Sequence, residues 1–313
     1  MATIAVAVFS VAPGHGSAAA ADPADSSSAP AEVGYDAFQV VDPEPVPPGE
    51  PYFGQDRITG KYVPEDLADE PRRLVVLLHG YGQSITGILQ QIPVLQAAFE
   101  NGWILVVPSG LSDSLSQPYW SATPTCCDIN ARRNDDVAYL RSVIQRHLVR
   151  YPVDRNNVTV VGLSNGAFMA YELACEASDL VGAIVAIAGV ERNDASDCSP
   201  KRPVSVYQIH GLYDRAVLFN GGIVGVKPEL FAPYPSATAT VDRWAGRNSC
   251  PTDRPTRVAV PRGEAGQWLN CEDGTFVQYR WLPDPHAVAV TDELLGSIVD
   301  FISAQDRDLP PMR

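Results

Sequence analysis

Ser164 stands at the centre of Gly162-Leu163-Ser164-Asn165-Gly166, between an apolar run and a helical pattern. A turn of that kind, from strand to helix, lifts a serine hydroxyl above the sheet in a strained backbone conformation. Glycine two positions either side lets the strand and helix pack closely. A hydroxyl held this way is suited to nucleophilic attack on an acyl carbon. It is a weak nucleophile until a base takes its proton and an acid orients the base. The competing reading is a tight turn with a bystander serine.

Five histidines are available as the base. His15 falls in an N-terminal apolar segment. His79 and His210 each precede a glycine at the end of an apolar run and read as supports for their loops. His147 borders the apolar stripe of a helix. His286 remains, in a loop between a strand and a helix. The acid should follow a strand lying between serine and histidine in the chain. Asp214, in His210-Gly211-Leu212-Tyr213-Asp214, meets that condition, although an Asx-turn would also use it. Asp284 is too near His286 in sequence to approach its ring in the usual way, and Asp242 reads as helical. Charge developing on an attacked carbonyl needs N–H donors. The residue after the nucleophile, Asn165, supplies one. The loop His79-Gly80-Tyr81-Gly82 should supply the other, with Tyr81 as the donor and Gly80 and Gly82 as the neighbouring registers. A plain glycine turn is the alternative there.

These groups need a scaffold. Short Val/Leu/Ile runs at 74–78, 103–107, 158–163, 183–188 and 204–209 read as fully buried strands, with another strand at 275–282. Helical spacing appears at 88–101, where Pro93 can break it, and at 135–150, 166–176, 237–247 and 291–304. Asn134 and Asp135 sit where an N-cap belongs. Continuous apolar strands alternating with helices predict an α/β domain over 57–305, with a mostly parallel central sheet and helices on both faces. Residues 109–134 read as a long loop. In it, Tyr119 and Trp120 are candidates for an aromatic, substrate-binding rim, or else ordinary loop packing.

The 313 residues are 45% hydrophobic, which excludes wholesale disorder, and carry a net charge of −14. That sign argues against nucleic acid or an anionic membrane as partner. The acidity is concentrated in residues 22–70. Residues 22–56, rich in Pro, Ser, Ala and acids, read as a leader with little core of its own. Residues 1–21 carry an apolar run of signal-peptide length with small residues ahead of Asp22, although the first basic residue is Arg57. Residues 306–313 form a tail. The apolar run is too short to span a membrane. Six cysteines suit an oxidising compartment, and with the N-terminal segment they predict secretion. No CxxC pair exists, so no metal is expected. Cys250 and Cys271, in one loop-rich stretch, are the expected bridge. Cys126 and Cys127, being adjacent, should each pair elsewhere, and the sequence does not choose among the remaining connectivities.

Several segments together carry a family resemblance. They are 74–84 (LVVLLHGYGQS), Cys126-Cys127, 135–140 (DDVAYL), 158–176 (VTVVGLSNGAFMAYELACE) and 210–214. Over about residues 60–305 the chain resembles the secreted polyhydroxybutyrate depolymerase and feruloyl esterase group of α/β-hydrolases. The resemblance implies a triad of Ser164, Asp214 and His286, disulfides and ester substrates. Three departures stand out. Ala167 replaces a second glycine after the serine motif. Arg215-Ala216-Val217-Leu218 lacks the group's proline. Pro285-His286-Ala287-Val288 replaces a Gly-His-x-Trp-Pro context, in a loop that lines the acyl pocket.

The expected function is therefore a secreted serine carboxylic-ester hydrolase that uses no cofactor. The expected partner is a polyester, either a polyhydroxyalkanoate or an aromatic polyester. Feruloyl or acetyl esters on plant polysaccharide are the near alternative. A serine peptidase and a non-catalytic binding protein on the same fold are the rivals from other classes.

Overall fold

Val/Leu/Ile-rich segments bury both their faces, so they must lie inside a sheet covered above and below. The computed structural model describes residues 37–41, 57–65, 67, 70–224 and 231–305, all within one compact unit, Val33–Arg313. Strands β1 (Gln39–Val41), β2 (Thr59–Tyr62) and β3 (Arg72–Leu78) come first. Helices α1 (Ile85–Gln91) and α2 (Val94–Glu100) follow, then β4 (Ile104–Pro108) and the two-residue strands β5 (Leu111–Ser112) and β6 (Pro118–Tyr119). Next are α3 (Asp136–Arg150), β7 (Val153–Leu163), α4 (Asn165–Glu176), β8 (Ala183–Ile187) and β9 (Ser205–Gly211). The chain continues through α5 (Ala237–Arg247), β10 (Thr256–Val258), β11 (Glu264–Trp268), β12 (Val277–Leu282) and α6 (Asp292–Ser303).

Ten strands form one sheet in the order β1-β2-β4-β3-β7-β8-β9-β12-β11-β10. The six central strands, β4 to β12, pair in parallel, and an antiparallel pair extends each flank. The pleat divides the core in two. Leu74, Val76 and Leu78 of β3 pack with α3, α4 and α5 on one face, while Val75 and Leu77 pack with α1, α2 and α6 on the other. From β3 the chain moves outward to β4, then returns to the opposite side of β3 as β7. The direction of winding therefore reverses between β3 and β7. A crevice opens there at the carboxyl ends of the strands.

Local signals account for most boundaries. Pro93 lacks the N–H a continuing helix needs, and the segment 85–100 divides there into α1 and α2. Asp135 caps α3 by accepting the Ala138 N–H at 2.8 Å, and Thr291 caps α6. Six strands depart from the reading above, among them the two-residue β5 and β6 within the segment read as a long loop. β1 and β2 are short, and β1 falls inside the segment read as a leader. β10 and β11 lie at the opposite edge; β10 is exposed throughout, and the buried residues of β11, Ala265, Gly266 and Trp268, form no apolar run. The N-terminal segment 1–21, most of the leader and the tail 306–313 lie outside the described residues.

Three disulfides are present. Cys250 is bonded to Cys271, and Cys175 of α4 to Cys198. Cys126 is bonded to Cys127 across a cis peptide. The expectation that these neighbours pair elsewhere is therefore corrected. The other four sulfurs satisfy one another in two bridges, which leaves each neighbour only the other.

Candidate active site

Ser164 ends β7 and opens α4 with φ 52° and ψ −115°. A positive φ is one that a non-glycine residue adopts here only because its surroundings impose it. The Ser164 N–H donates to the Ile187 carbonyl of β8 at 2.7 Å. A Cβ on Gly162 would strike the Gly166 carbonyl, and one on Gly166 would strike the carbonyls of Leu78 and His79. The two glycines of the pentad are thus required by backbone-to-backbone approach.

His286 lies in the loop between β12 and α6. Its Nε2 is 2.9 Å from Ser164 Oγ, and its Nδ1 is 2.8 Å from Asp214 Oδ2. A carboxylate only accepts, so Nδ1 carries the proton and Nε2 is left to accept the serine O–H. Three residues spread over 122 positions of sequence are joined in one hydrogen-bonded line. A third of the His286 side chain faces solvent, whereas that of Asp214 is buried.

Asp214 has four donors around it. Oδ1 accepts the N–H groups of Ala216 and Val217, both at 2.8 Å. Oδ2 faces His286 Nδ1 and also lies 3.4 Å from Nε2 of buried His210. Burial alone would raise this carboxyl. The contacts from His210 and His286, with the Val217 N–H, outweigh burial and hold it well below the usual carboxylate range.

The acid and histidine loops are laced together. The Tyr213 N–H donates to the Asp284 carbonyl at 3.0 Å, and a Cβ on Gly211 would strike the carbonyls of Asp284 and Pro285. The Asp284 carboxylate receives both arms of the Arg262 guanidinium from the turn between β10 and β11. Asp284 therefore secures the loop that carries His286.

At the end of β3 the loop registers are distinguishable. The Gly80 N–H donates to Gln83 Oε1 at 3.1 Å and the Gly82 N–H to the Pro118 carbonyl at 2.8 Å. Among the described residues the Tyr81 N–H has no such partner. An ideal Cβ on Gly80 would be 3.5 Å from Ser164 Cβ, so this loop borders the serine. The Tyr81 hydroxyl donates to Asp113 Oδ2 at 2.5 Å. Burial together with Asp113 pushes that phenol up to about 12.

Tyr119 and Trp120 do not form a rim. Both are fully buried, which corrects the expectation that they could meet a substrate. Trp120 packs against His79 and Tyr139, and its indole N–H donates to the His79 carbonyl at 3.0 Å. The Tyr119 hydroxyl accepts from Asn134 at 2.8 Å. Sequence reasoning also missed the side chain of Asn165. It is buried and holds the Trp120 backbone on both sides. It missed the contact of His210 with Asp214 as well. The four-residue spacing at a strand end was the available signal.

A strained serine after the third parallel strand, an acid after β9, a histidine after β12 and helices on both faces define an α/β-hydrolase fold. The phospholipase/carboxylesterase family matches residues 63–223, half of the chain. The chain belongs to that family. Feruloyl esterase B of Piromyces equi is 27% identical over 185 residues, 58% of this chain and 33% of that one. A putative esterase, NocK, of Nocardia uniformis subsp. tsuyamanensis is 27% identical over 226 residues, 70% of this chain and 64% of that one. The chain thus spans a third of the first relative's length and under two thirds of the second's. The structure of an acetyl xylan esterase from Aspergillus awamori superposes with a TM-score of 0.59 at 17% identity, covering 85% of this chain and 99% of that one.

Proposed function

We propose that this chain is a serine carboxylic-ester hydrolase working through an acyl-enzyme. The observation that carries the reading is the continuous line Ser164–His286–Asp214, with contacts of 2.9 and 2.8 Å. Ser164 Oγ attacks the ester carbonyl as His286 Nε2 takes its proton. Asp214 fixes the ring's tautomer and stabilises the imidazolium. The N–H groups of Tyr81 and Asn165 receive the oxyanion, each such donor being worth on the order of 10²–10³ in rate. Collapse breaks the bond to the alcohol, which leaves with the proton from Nε2. Water then repeats the sequence on the acyl-serine. None of these steps calls for a metal or an organic cofactor.

The proposed substrate is a polyester. Leu212, Tyr213, Leu218 and Ile223, all on the loop that carries Asp214, have 40–67% of their surface exposed. Apolar side chains beside the reacting groups favour an apolar chain over a free polar ester. A second reading, feruloyl or acetyl esters on polysaccharide, is favoured by the names of relatives: feruloyl esterase B of Piromyces equi and acetylxylan esterase A of Emericella nidulans. Secretion is proposed with it, supported by three disulfides. Among the described residues no helix is long and apolar enough to cross a membrane.

The test is parallel turnover of polyhydroxybutyrate, an aromatic polyester, methyl ferulate and acetylated xylan, with fluorophosphonate labelling of Ser164. Polymer clearing supports the first reading, and ferulate or acetyl release alone supports the second. A protein that takes no label and turns over none of them refutes the hydrolase assignment.

A further inference from the structure

A second imidazole touches the relay. His210, on β9 and fully buried, places Nε2 at 3.4 Å from Asp214 Oδ2, the oxygen that also binds His286. Its protonation pattern follows from its neighbours. Gln208 Nε2 donates to the Gly189 carbonyl at 2.8 Å, which orients the amide. Gln208 Oε1 accordingly accepts the Tyr171 hydroxyl at 2.5 Å. The remaining amide hydrogen faces His210 Nδ1 at 3.2 Å, so Nδ1 must accept. The proton then sits on Nε2, where it serves the Val217 carbonyl at 2.8 Å and faces the Asp214 carboxylate. A second proton on Nδ1 would meet the Gln208 N–H head-on.

We infer that His210, fixed in its Nε2–H tautomer by Gln208, is a positioning residue for Asp214. This rests on the acyl-transfer reading above. The ring contacts the carboxylate oxygen that His286 also binds and draws part of its charge. It cannot accept the proton that His286 takes from Ser164. The relay therefore ends at Asp214, and positive charge in the transition state stays on His286. The groups that bear on this unit are few. Tyr171 reaches it through Gln208, and Glu191's charge acts on Tyr171. The Tyr234 hydroxyl accepts the Leu218 N–H and is pushed up by burial, with Asp214's charge adding to the rise. Phe219 supplies a neutral edge contact to His210.

The experiment compares pH profiles of kcat/KM on p-nitrophenyl acetate for the full chain, His210→Phe and Gln208→Glu. His210→Phe removes a donor from Asp214, which becomes more basic and holds the imidazolium more tightly. Its acid limb should move up by about half a pH unit or more, and kcat/KM should fall about tenfold. Gln208→Glu presents a carboxylate to Nδ1 and draws a second proton onto His210. The added cation competes for Asp214, and the acid limb should move down. A packing role alone would lower thermal stability and leave both limbs in place, which overturns the inference.

Should either variant fail to fold, ¹⁵N-histidine spectra of the unmodified protein decide. An Nε2–H tautomer at His210 at pH 8 supports the inference. An Nδ1–H tautomer at His210 overturns it. Fluorophosphonate labelling of the same sample separates the two readings. An unlabelled Ser164 refutes the hydrolase, whereas a labelled Ser164 with an Nδ1–H tautomer at His210 refutes only the positioning role.

Discussion

Asn165 pairs with the backbone of Trp120 as one peptide pairs with another: its side-chain oxygen accepts the Trp120 N–H at 2.7 Å and its nitrogen donates to the Trp120 carbonyl at 2.9 Å. The residue whose own N–H faces the proposed oxyanion thus uses its side chain to bind the 109–134 loop to the serine turn. The same nitrogen lies 3.8 Å from Cys126 Sγ. Asn165→Ala would leave two buried backbone groups without partners. Each such loss costs about 1–3 kcal/mol, so stability should fall by about 2–6 kcal/mol. Urea titration followed by tryptophan fluorescence checks this. An unchanged midpoint would show that the loop is held by other contacts.

Replacement of Ser164 by alanine removes the only oxygen that His286 Nε2 faces in the relay. Hydrolysis of p-nitrophenyl butyrate should fall to the level left by the N–H donors alone. Asp214→Asn keeps the shape but presents an amide to Nδ1, which favours the wrong tautomer. A drop on the order of 10⁴ in kcat is expected. Near-normal turnover in either variant would displace the relay from the mechanism.

Tyr81 and Asp113 give a subtler test. Asp113 is an anchored carboxylate. Its Oδ1 accepts the N–H groups of Leu115 and Gln117 at 2.7 and 3.0 Å, and its Oδ2 accepts the Tyr81 hydroxyl. Tyr81→Phe removes only that hydroxyl, while the backbone N–H proposed as an oxyanion donor remains. A hydrogen bond to a charged group contributes about 1.5–3 kcal/mol when made. Part of that loss should appear as a kcat reduced about tenfold with KM little changed, because the donor is needed most as charge develops. A change confined to KM would assign Tyr81 to substrate contact instead.

Legibility from sequence followed burial. The six parallel strands advertise themselves because both faces are apolar, and the pentad around Ser164 is forced by backbone collisions that any sequence with this turn must avoid. Two glycines flank Tyr81 in the loop proposed to hold the oxyanion, and the N–H groups of both find partners, Gln83 and Pro118. The antiparallel flanks were not legible. β10 is exposed throughout and β1 is mostly so, so neither carries an alternation to read. Trp120 was misjudged because a large aromatic in a long loop has the same sequence signature on a rim as in a core. Its indole partner, the His79 carbonyl, lies 41 residues away. The cysteine neighbours were misjudged for a related reason: pairing depends on which sulfurs the fold brings together, and spacing alone does not encode it.

Loss of Cys250–Cys271 should cost stability without touching chemistry. The bridge closes a loop of 21 residues at the end of α5 and the start of the β12 approach. On the chain-entropy model such a loop is worth about 3 kcal/mol. The double variant Cys250→Ser, Cys271→Ser should therefore unfold at lower urea concentration while labelling of Ser164 proceeds at the original rate in native buffer. A labelling rate that falls with the midpoint would tie this hairpin, and with it Arg262 and Asp284, to the geometry of His286.

His79 provides the pH prediction. Burial, opposed by its bond to the Gly80 carbonyl and aided by Arg57, pushes the ring down to about 4 from an ordinary 6.5. The geometry explains why protonation is resisted. Nδ1 donates to the Gly80 carbonyl at 2.8 Å, and Nε2 accepts the Gly110 N–H at 2.9 Å. A proton on Nε2 would face that N–H. The unfolded chain takes up a proton as pH falls through 6.5, and the folded chain does so only near 4. Stability from this group is thus fully present above pH 6.5 and is lost as pH falls toward 4. Between pH 7 and pH 5 the loss amounts to about 2 kcal/mol. Measured as the difference in unfolding free energy between the unmodified protein and His79→Gln, it isolates this ring from the carboxylates that titrate in the same range. A difference that stays constant from pH 7 to 5 would mean that His79 takes up its proton in the fold as readily as in the open chain. The bond from Gly110 to Nε2 would then not be what fixes the loop bearing Tyr81.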